Sequence, residues 1–288
     1  MTSKTKGQGA KERTAVPAKH VRRELLPDQS AALLQELHLL TRTGDLNADA
    51  HRKLKQINHL AGMLGPDLDA MFERVPEPKL LDAGAGNAYL GFVLYELHFA
   101  PRKRGEVLSV EVRPDLVARA KERAQRLHYD RMRFLDKPLA ELTADVQADF
   151  VVALHACDTA TDDAIAHGIH TQAPVIAVVP CCQAEVARLL QGGSAVHRSL
   201  GPLWRHPIQR REFGAHLTNV IRGLVLESHG YQVTVTELTG WEHSLKNELI
   251  LARKVQKRNG LAIQQLGALL GDLPPLDMKL LRDVPAPV

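Results

Sequence analysis

Leu80-Leu81-Asp82-Ala83-Gly84-Ala85-Gly86-Asn87-Ala88-Tyr89 is the stretch on which the reading of this 288-residue chain turns. It opens as a short apolar strand, Lys79–Ala83, and passes through two glycines into a segment with helical spacing, Ala88–Leu97. Gly84 and Gly86 allow left-handed backbone and the close approach of a ligand. The helix that starts behind them presents free N–H groups and the positive end of its dipole. Strand, glycine turn and helix in that order predict a βα unit with its ligand at the carboxyl end of the strand.

The alternation continues downstream. Val107–Glu111 reads as a strand and Pro114–Leu127 as a helix; Met132–Leu135 is a short strand and Pro138–Leu142 a short helix. Asp149–His155, Thr159–His170 and Val175–Pro180 follow as strand, helix and strand. Continuous apolar strands separated by helices predict a parallel sheet covered on both faces. Arg210–Gly230 is a helix, and Val233–Leu238 and Asn247–Ala252 are two strands joined by a hairpin-like connection. The fold class is therefore α/β, with seven strands and an antiparallel last strand. Gly260–Leu270 forms a further helix before a Pro-rich end.

Upstream, Leu33, Leu34, Leu37 and Leu40 form one helical stripe, and Leu54, Ile57, Leu60 and Ala61 another. These predict helices over Ser30–Leu40 and Ala48–Leu64, broken at Thr43-Gly44-Asp45, with Asn47 or Asp49 as a cap. Residues 1–28 are polar and basic and predict a disordered arm. The expected organisation is the arm at 1–28, a small N-terminal helical extension at 29–75, the main domain at 76–256 and a tail with a short helix at 257–288.

The composition, 44% hydrophobic with a formal charge of +4, suits a globular protein with a mildly basic surface. No apolar run reaches the roughly 20 residues a bilayer needs, and no secretory h-region is present. The expectation is a cytoplasmic protein with no membrane contact and no obligate protein partner. Cys157, Cys181 and Cys182 form no CxxC pair, so no metal is expected.

Three acids end successive strands: Asp82, Glu111 and Asp136. Ligands of open α/β sheets bind at that edge. A dinucleotide fingerprint wants Gly or Ala where Tyr89 stands, which argues against a pyrophosphate. The loop instead resembles the acidic-x-Gly-x-Gly signature of class I S-adenosylmethionine-dependent methyltransferases. On that reading Asp82 holds the methionine part directly or through water, and Glu111 accepts hydrogen bonds from the ribose diol. Asp136 meets adenine, and Gly84, Gly86, Asn87, Tyr89 and Leu154 complete the cofactor pocket.

Strand four runs into His155-Ala156-Cys157-Asp158, followed by Thr159-Ala160-Thr161-Asp162. His155 is a candidate general base or only closes the cofactor pocket, and Asp158 orients it, meets substrate or caps the next helix. Asp162 reads most simply as a helix cap. Strand five ends Pro180-Cys181-Cys182. A Pro-Cys nucleophile of cytosine-5 methyltransferases follows strand four instead, so Cys181 and Cys182 are read as lining the substrate pocket. His243, Lys246 and Asn247 lie between the last two strands and are substrate-binding candidates, or a solvated turn. Lys53, Lys55, Gln56 and Asn58 either cover the cofactor or face solvent.

With these segments in view, the chain resembles the methyltransferase domain 32 group over roughly residues 53–254. The resemblance rests on Asp-Ala-Gly-Ala-Gly-Asn-Ala-Tyr-Leu-Gly (82–91), His-Ala-Cys-Asp-Thr-Ala-Thr-Asp (155–162) and Pro-Cys-Cys (180–182). That group is distantly similar to eukaryotic tRNA 2′-O-methyltransferases, which have Gly where Asp158 stands and two histidines where Gln183 and Ala184 stand. The resemblance implies a Rossmann-like methyltransferase sheet, S-adenosylmethionine and an RNA substrate, tRNA or rRNA. A small-molecule or protein methyltransferase, or a non-catalytic RNA-binding module, are the alternatives.

Overall fold

Neighbouring residues along each central strand belong to two different cores. Leu80, Phe150, Val152, Val175 and Ala177 pack on one side of the sheet; Leu81, Val151, Ala153, Ile176 and Val178 pack on the other. The side-chain period of two explains why these strands are apolar throughout. The computed structural model describes residues 17, 19–154, 156, 159–181, 184–192, 200–238 and 248–286.

The strands are β1 (Lys79–Ala83), β2 (Glu106–Val110), β3 (Met132–Leu135), β4 (Phe150–Leu154), β5 (Val175–Val179), β6 (Tyr231–Glu237) and β7 (Glu248–Lys254). They form one seven-stranded sheet in the order β3-β2-β1-β4-β5-β7-β6. β7 runs antiparallel to both of its neighbours, and the β3-β2-β1-β4-β5 pairings are parallel. This is a Rossmann-like sheet with its last strand reversed. The order reverses between β1 and β4, so the switch point lies at the glycine loop.

The helices are α1 (Lys19–Arg22), α2 (Ala31–Glu36), α3 (Ala48–Arg74), α4 (Tyr89–Leu94), α5 (Ala100–Arg102), α6 (Pro114–Arg126), α7 (Thr159–His170), α8 (Glu185–Leu189), α9 (Pro207–Ser228) and α10 (Gly260–Gly271). Between α4 and α5 the backbone takes one π-helical stretch, Tyr95–Phe99. Ser30 caps α2, its side chain accepting from the Leu33 N–H at 3.1 Å. Asn47, not Asp49, caps α3 by accepting from the Ala50 N–H at 2.8 Å.

Two expectations are corrected. α3 does not stop at Leu64 but continues through Gly65 and Pro66 to Arg74. A proline inside a helix removes one hydrogen bond and crowds the carbonyl four residues back. Here that carbonyl belongs to Gly62, which has no side chain, and Leu68, Met71 and Phe72 bury the added turns. Second, the described part of the basic arm is packed. Val21 is fully buried, and Asn58 donates to the Glu24 carbonyl at 2.8 Å while its amide pairs with that of Gln29. The chain after α10 is anchored by buried Met278 and Leu280 and by the Lys279–Asp163 ion pair at 2.5 Å. Residues 1–16 lie outside the described residues.

α3 is clamped to β7 by a two-pronged ion pair, Arg253 Nε to Asp67 Oδ1 at 2.6 Å and Nη2 to Oδ2 at 2.8 Å. Among the described residues no helix is long and apolar enough to cross a membrane.

Candidate functional site

The glycine loop is shaped by its own backbone. Gly84 and Gly86 have φ of 65° and 58°, in the region that favours glycine. The Ala85 N–H donates to the Val110 carbonyl at 2.9 Å, which ties the loop to the end of β2. A Cβ on Gly84 would stand 3.1 Å from the Ala156 Cβ. The loop therefore rests against the first residues after β4.

Glu111 reaches the loop from the end of β2. The Gly86 N–H donates to its Oε2 at 2.7 Å, and the backbone N–H and Nε of Arg113 donate to its Oε1 at 3.1 and 2.9 Å. Burial alone would raise this carboxyl. Arg113 and the two backbone donors outweigh burial and hold it below its ordinary value. The group stays ionised, with lone pairs left to accept from a vicinal diol.

Beside Glu111 stands Val112, 59% exposed at the carboxyl edge of the sheet. An exposed valine there offers an apolar face to a flat heterocycle. The signal for it was the apolar residue directly after a strand-ending acid. Asp136, at the end of β3, is exposed at the same edge, and Leu154, at the end of β4, is half-buried there.

Asp82 is the penultimate residue of β1. It is 2% exposed and lies beneath the loop. The Gly91 N–H donates to it, and the Ser109 hydroxyl donates to its Oδ2 at 3.3 Å. It binds the first turn of α4, because a carboxylate at this depth needs backbone donors close by. Gly91 is small so that this contact can form; a Cβ there would come within 2.5 Å of Asp82 Oδ2.

Burial pushes the Asp82 carboxyl from 3.8 up to about 7, the neighbouring Glu111 adds to the rise, and the Ser109 and Gly91 hydrogen bonds oppose it. A folded-state value above the unfolded one makes this group's stabilising contribution full below pH ~4 and lost as pH rises through about 7. Urea midpoints measured from pH 5 to 8 should fall with rising pH, and Asp82→Asn should flatten that trend. An unchanged slope in the variant would remove Asp82 as its source.

Asn87 is exposed, and its carbonyl accepts from Arg123 Nη1 at 3.2 Å. Arg123 also donates to the Glu36 carbonyl at 2.8 Å, so one buried arginine joins the helical extension to the loop. Tyr89 is half-buried at the start of α4. Asn58 is taken up by Gln29 and Glu24, and the exposed Lys53 pairs with Asp49 at 2.7 Å. The structure thus gives Asn58 a packing role.

Of the acceptor-side candidates, Cys181 is half-buried just after β5. His155, Asp158, Cys182, His243, Lys246 and Asn247 lie outside the described residues. Ala156, the described residue between His155 and Asp158, is held by α7. Thr161 Oγ1 donates to the Ala156 carbonyl at 2.7 Å. Asp162 is buried in the first turn of α7, where Arg222 Nε of α9 donates to its Oδ1 at 2.6 Å, with the two side chains 1% and 3% exposed; the residues just before α7 that a cap would serve lie outside the described residues. Arg222 Nη1 also donates to Asn219 at 3.1 Å. Arg222 was not legible in the sequence, since nothing local distinguishes an inward arginine on a helix. Among the described residues no group of three His, Cys, Asp or Glu could hold a metal.

The site fits S-adenosylmethionine on these observations: a left-handed glycine turn, an ionised carboxylate beside it, and an exposed apolar side chain one residue on.

Residues 52–189 match a family model described as a methyltransferase domain. A Bos taurus protein named glutathione S-transferase C-terminal domain-containing protein is 27% identical over 233 residues, covering 72% of this chain and 34% of that one. Its Homo sapiens namesake is 30% identical over 140 residues, covering 48% and 20%. The chain spans about a third of the length of these relatives or less. Among solved structures, a Podospora anserina methyltransferase bound to S-adenosylhomocysteine aligns with a TM-score of 0.44 at 17% identity, over 80% of this chain and 89% of that one. An rRNA methylase from Streptococcus thermophilus aligns with a TM-score of 0.40 at 13% identity, over 62% and 88%.

Proposed function

We propose that this chain, a methyltransferase whose methyl donor is S-adenosylmethionine, methylates RNA. S-adenosylmethionine supplies an electrophilic methyl carbon on a sulfonium, and the protein's task is to align an acceptor nucleophile behind it. In this reading Gly84 and Gly86 cradle the donor, Glu111 takes the ribose hydroxyls, and Val112 and Asp136 flank the adenine. His155, with Asp158, activates or orients the acceptor, and Cys181 and Cys182 line its pocket with His243, Lys246 and Asn247 nearby.

The observation that carries the donor assignment is the Glu111 carboxylate, fixed by the Gly86 N–H and kept ionised by Arg113. Hydrogen bonds to a charged group are worth roughly 1.5–3 kcal/mol, so Glu111→Gln should weaken S-adenosylmethionine binding about 10–100-fold by calorimetry. Unchanged affinity would take Glu111 out of the pocket.

The RNA assignment is supported by the order of the His155–Asp162 and Pro180–Cys182 segments and by the net charge of +4. Tritium transfer from labelled S-adenosylmethionine into RNA, protein and metabolite fractions of a strain lacking the gene tests it. Label should enter RNA; label confined to protein or metabolites would overturn the assignment. His155→Ala should bind the donor normally and lose turnover.

A further inference from the structure

The second half of α9 ends at the amino edge of the sheet. Gly230 follows it, and Tyr231 opens β6 opposite Lys254, whose N–H bonds Pro174 just before β5. Going back along α9 therefore leads toward the carboxyl edge. From Tyr231 to Arg222 is roughly 13 Å of helix, about the length of a five-residue strand. There Arg222 meets Asp162, in the first turn after β4. Ile208 lies another 14 residues, roughly 21 Å, further on. The first half of α9 thus carries past the edge where the methyl donor sits.

This overhang is rigid. Trp204, fully buried in the 3-10 turn Gly201–Trp204, stacks on Phe213 with ring centroids 5.5 Å apart. α8 lies so close that a Cβ on Gly214 would come within 2.8 Å of the Ala187 backbone. With Trp204 turned inward, its neighbours turn outward. Leu203 is 48% and Ile208 64% exposed, and Arg205, His206 and Arg211 are exposed around them. Arg211 has only the adjacent, equally exposed Glu212 at 2.7 Å, a pair of the kind that contributes little. Arg205 has no ion pair among the described residues. Single exposed apolar residues are ordinary on protein surfaces. Two of them among Arg205, His206 and Arg211, on a packed shelf beside the carboxyl edge of the sheet, form a patch with a use.

We propose that this shelf, Leu203, Arg205, His206, Ile208 and Arg211, is the docking surface for a single-stranded RNA segment of the methyl acceptor. The cations meet phosphates, and the exposed Leu203 and Ile208 meet unstacked bases, which single-stranded RNA offers and a duplex does not. The inference rests on the RNA reading above and gives it a place.

The test is binding of a fluorescent 20-nucleotide oligouridylate to the full chain and to the Arg205→Glu/Arg211→Glu double variant, by anisotropy across a salt series. Each phosphate contact on a single strand contributes about −0.7 to the slope of log K against log salt. The double variant should bind at least tenfold more weakly at low salt, with a slope shallower by about 1.4. S-adenosylmethionine affinity and thermal midpoint should be unchanged, since both arginines lie on the surface and outside the donor pocket. Wild-type RNA binding that the double variant retains in full would overturn the shelf and leave the RNA reading standing. No RNA binding by the wild type at any salt would overturn both. Loss of polyglutamate binding in the variant without loss of RNA binding would assign the surface to an acidic protein instead.

Discussion

Arg222→Met is expected to destabilise the protein by about 3–5 kcal/mol, because it removes the guanidinium that pairs with the buried Asp162 carboxylate. The ion pair itself need not be the source of stability. Desolvating two charges costs about as much as their attraction returns, and the large loss comes from leaving one without its partner. The control is therefore Arg222→Met combined with Asp162→Leu, which removes both charges. That double variant should recover most of the lost stability in urea titrations. Recovery of none would mean that the loss lies in packing and not in the stranded charge.

The same pair makes a second measurement informative. Asp162 follows Thr161, whose hydroxyl holds the Ala156 carbonyl, and Ala156 packs on Gly84. Arg222 therefore acts at a distance on Ala156 and the glycine loop it supports, as a positioning residue. The Arg222→Met/Asp162→Leu variant, folded but with a different wall behind Ala156, should show reduced kcat with little change in donor affinity. A merely structural role would leave kcat unchanged once stability is restored.

Gly91→Ala carries the next largest effect. The added methyl would lie 2.5 Å from Asp82 Oδ2 and 3.0 Å from Ser109 Oγ, too close for either. Overpacking costs roughly 1–3 kcal/mol, and a buried carboxyl pushed off its donors costs about as much again. We expect a loss of about 3 kcal/mol and a steep fall in donor affinity, since the first turn of α4 sets the glycine loop. Adding Asp82→Ala removes the atom that clashes. If the clash is the cause, the two changes together cost less than the sum of each alone, the non-additivity expected of residues in contact. Additive losses would exclude it.

The fold was legible because its signals are local. Continuous apolar strands between helical segments mark a parallel sheet wherever they occur, and β1, β3 and α7 fall where the pattern puts them. The glycine loop was legible for the same reason: Gly84 and Gly86 mark positive φ in the residues themselves. α8 was missed because five residues are too few for a helical period to declare itself. The extent of α3 was missed because Pro66 reads as a stop, and only burial of Leu68, Met71 and Phe72 overrides it.

What the amino-acid sequence determined by itself is the order of elements, the reversed last strand and the place of the donor loop, since each depends on residues near one another in the chain. What the tertiary structure alone decided is the use to which the polar residues are put. Asp82 holds the first turn of α4 from beneath the loop, Asp162 pairs with Arg222 across 60 residues, and Asn58 forms an internal bridge. A buried polar group must satisfy its hydrogen bonds with whatever the fold brings beside it, and that neighbour can lie anywhere in the chain.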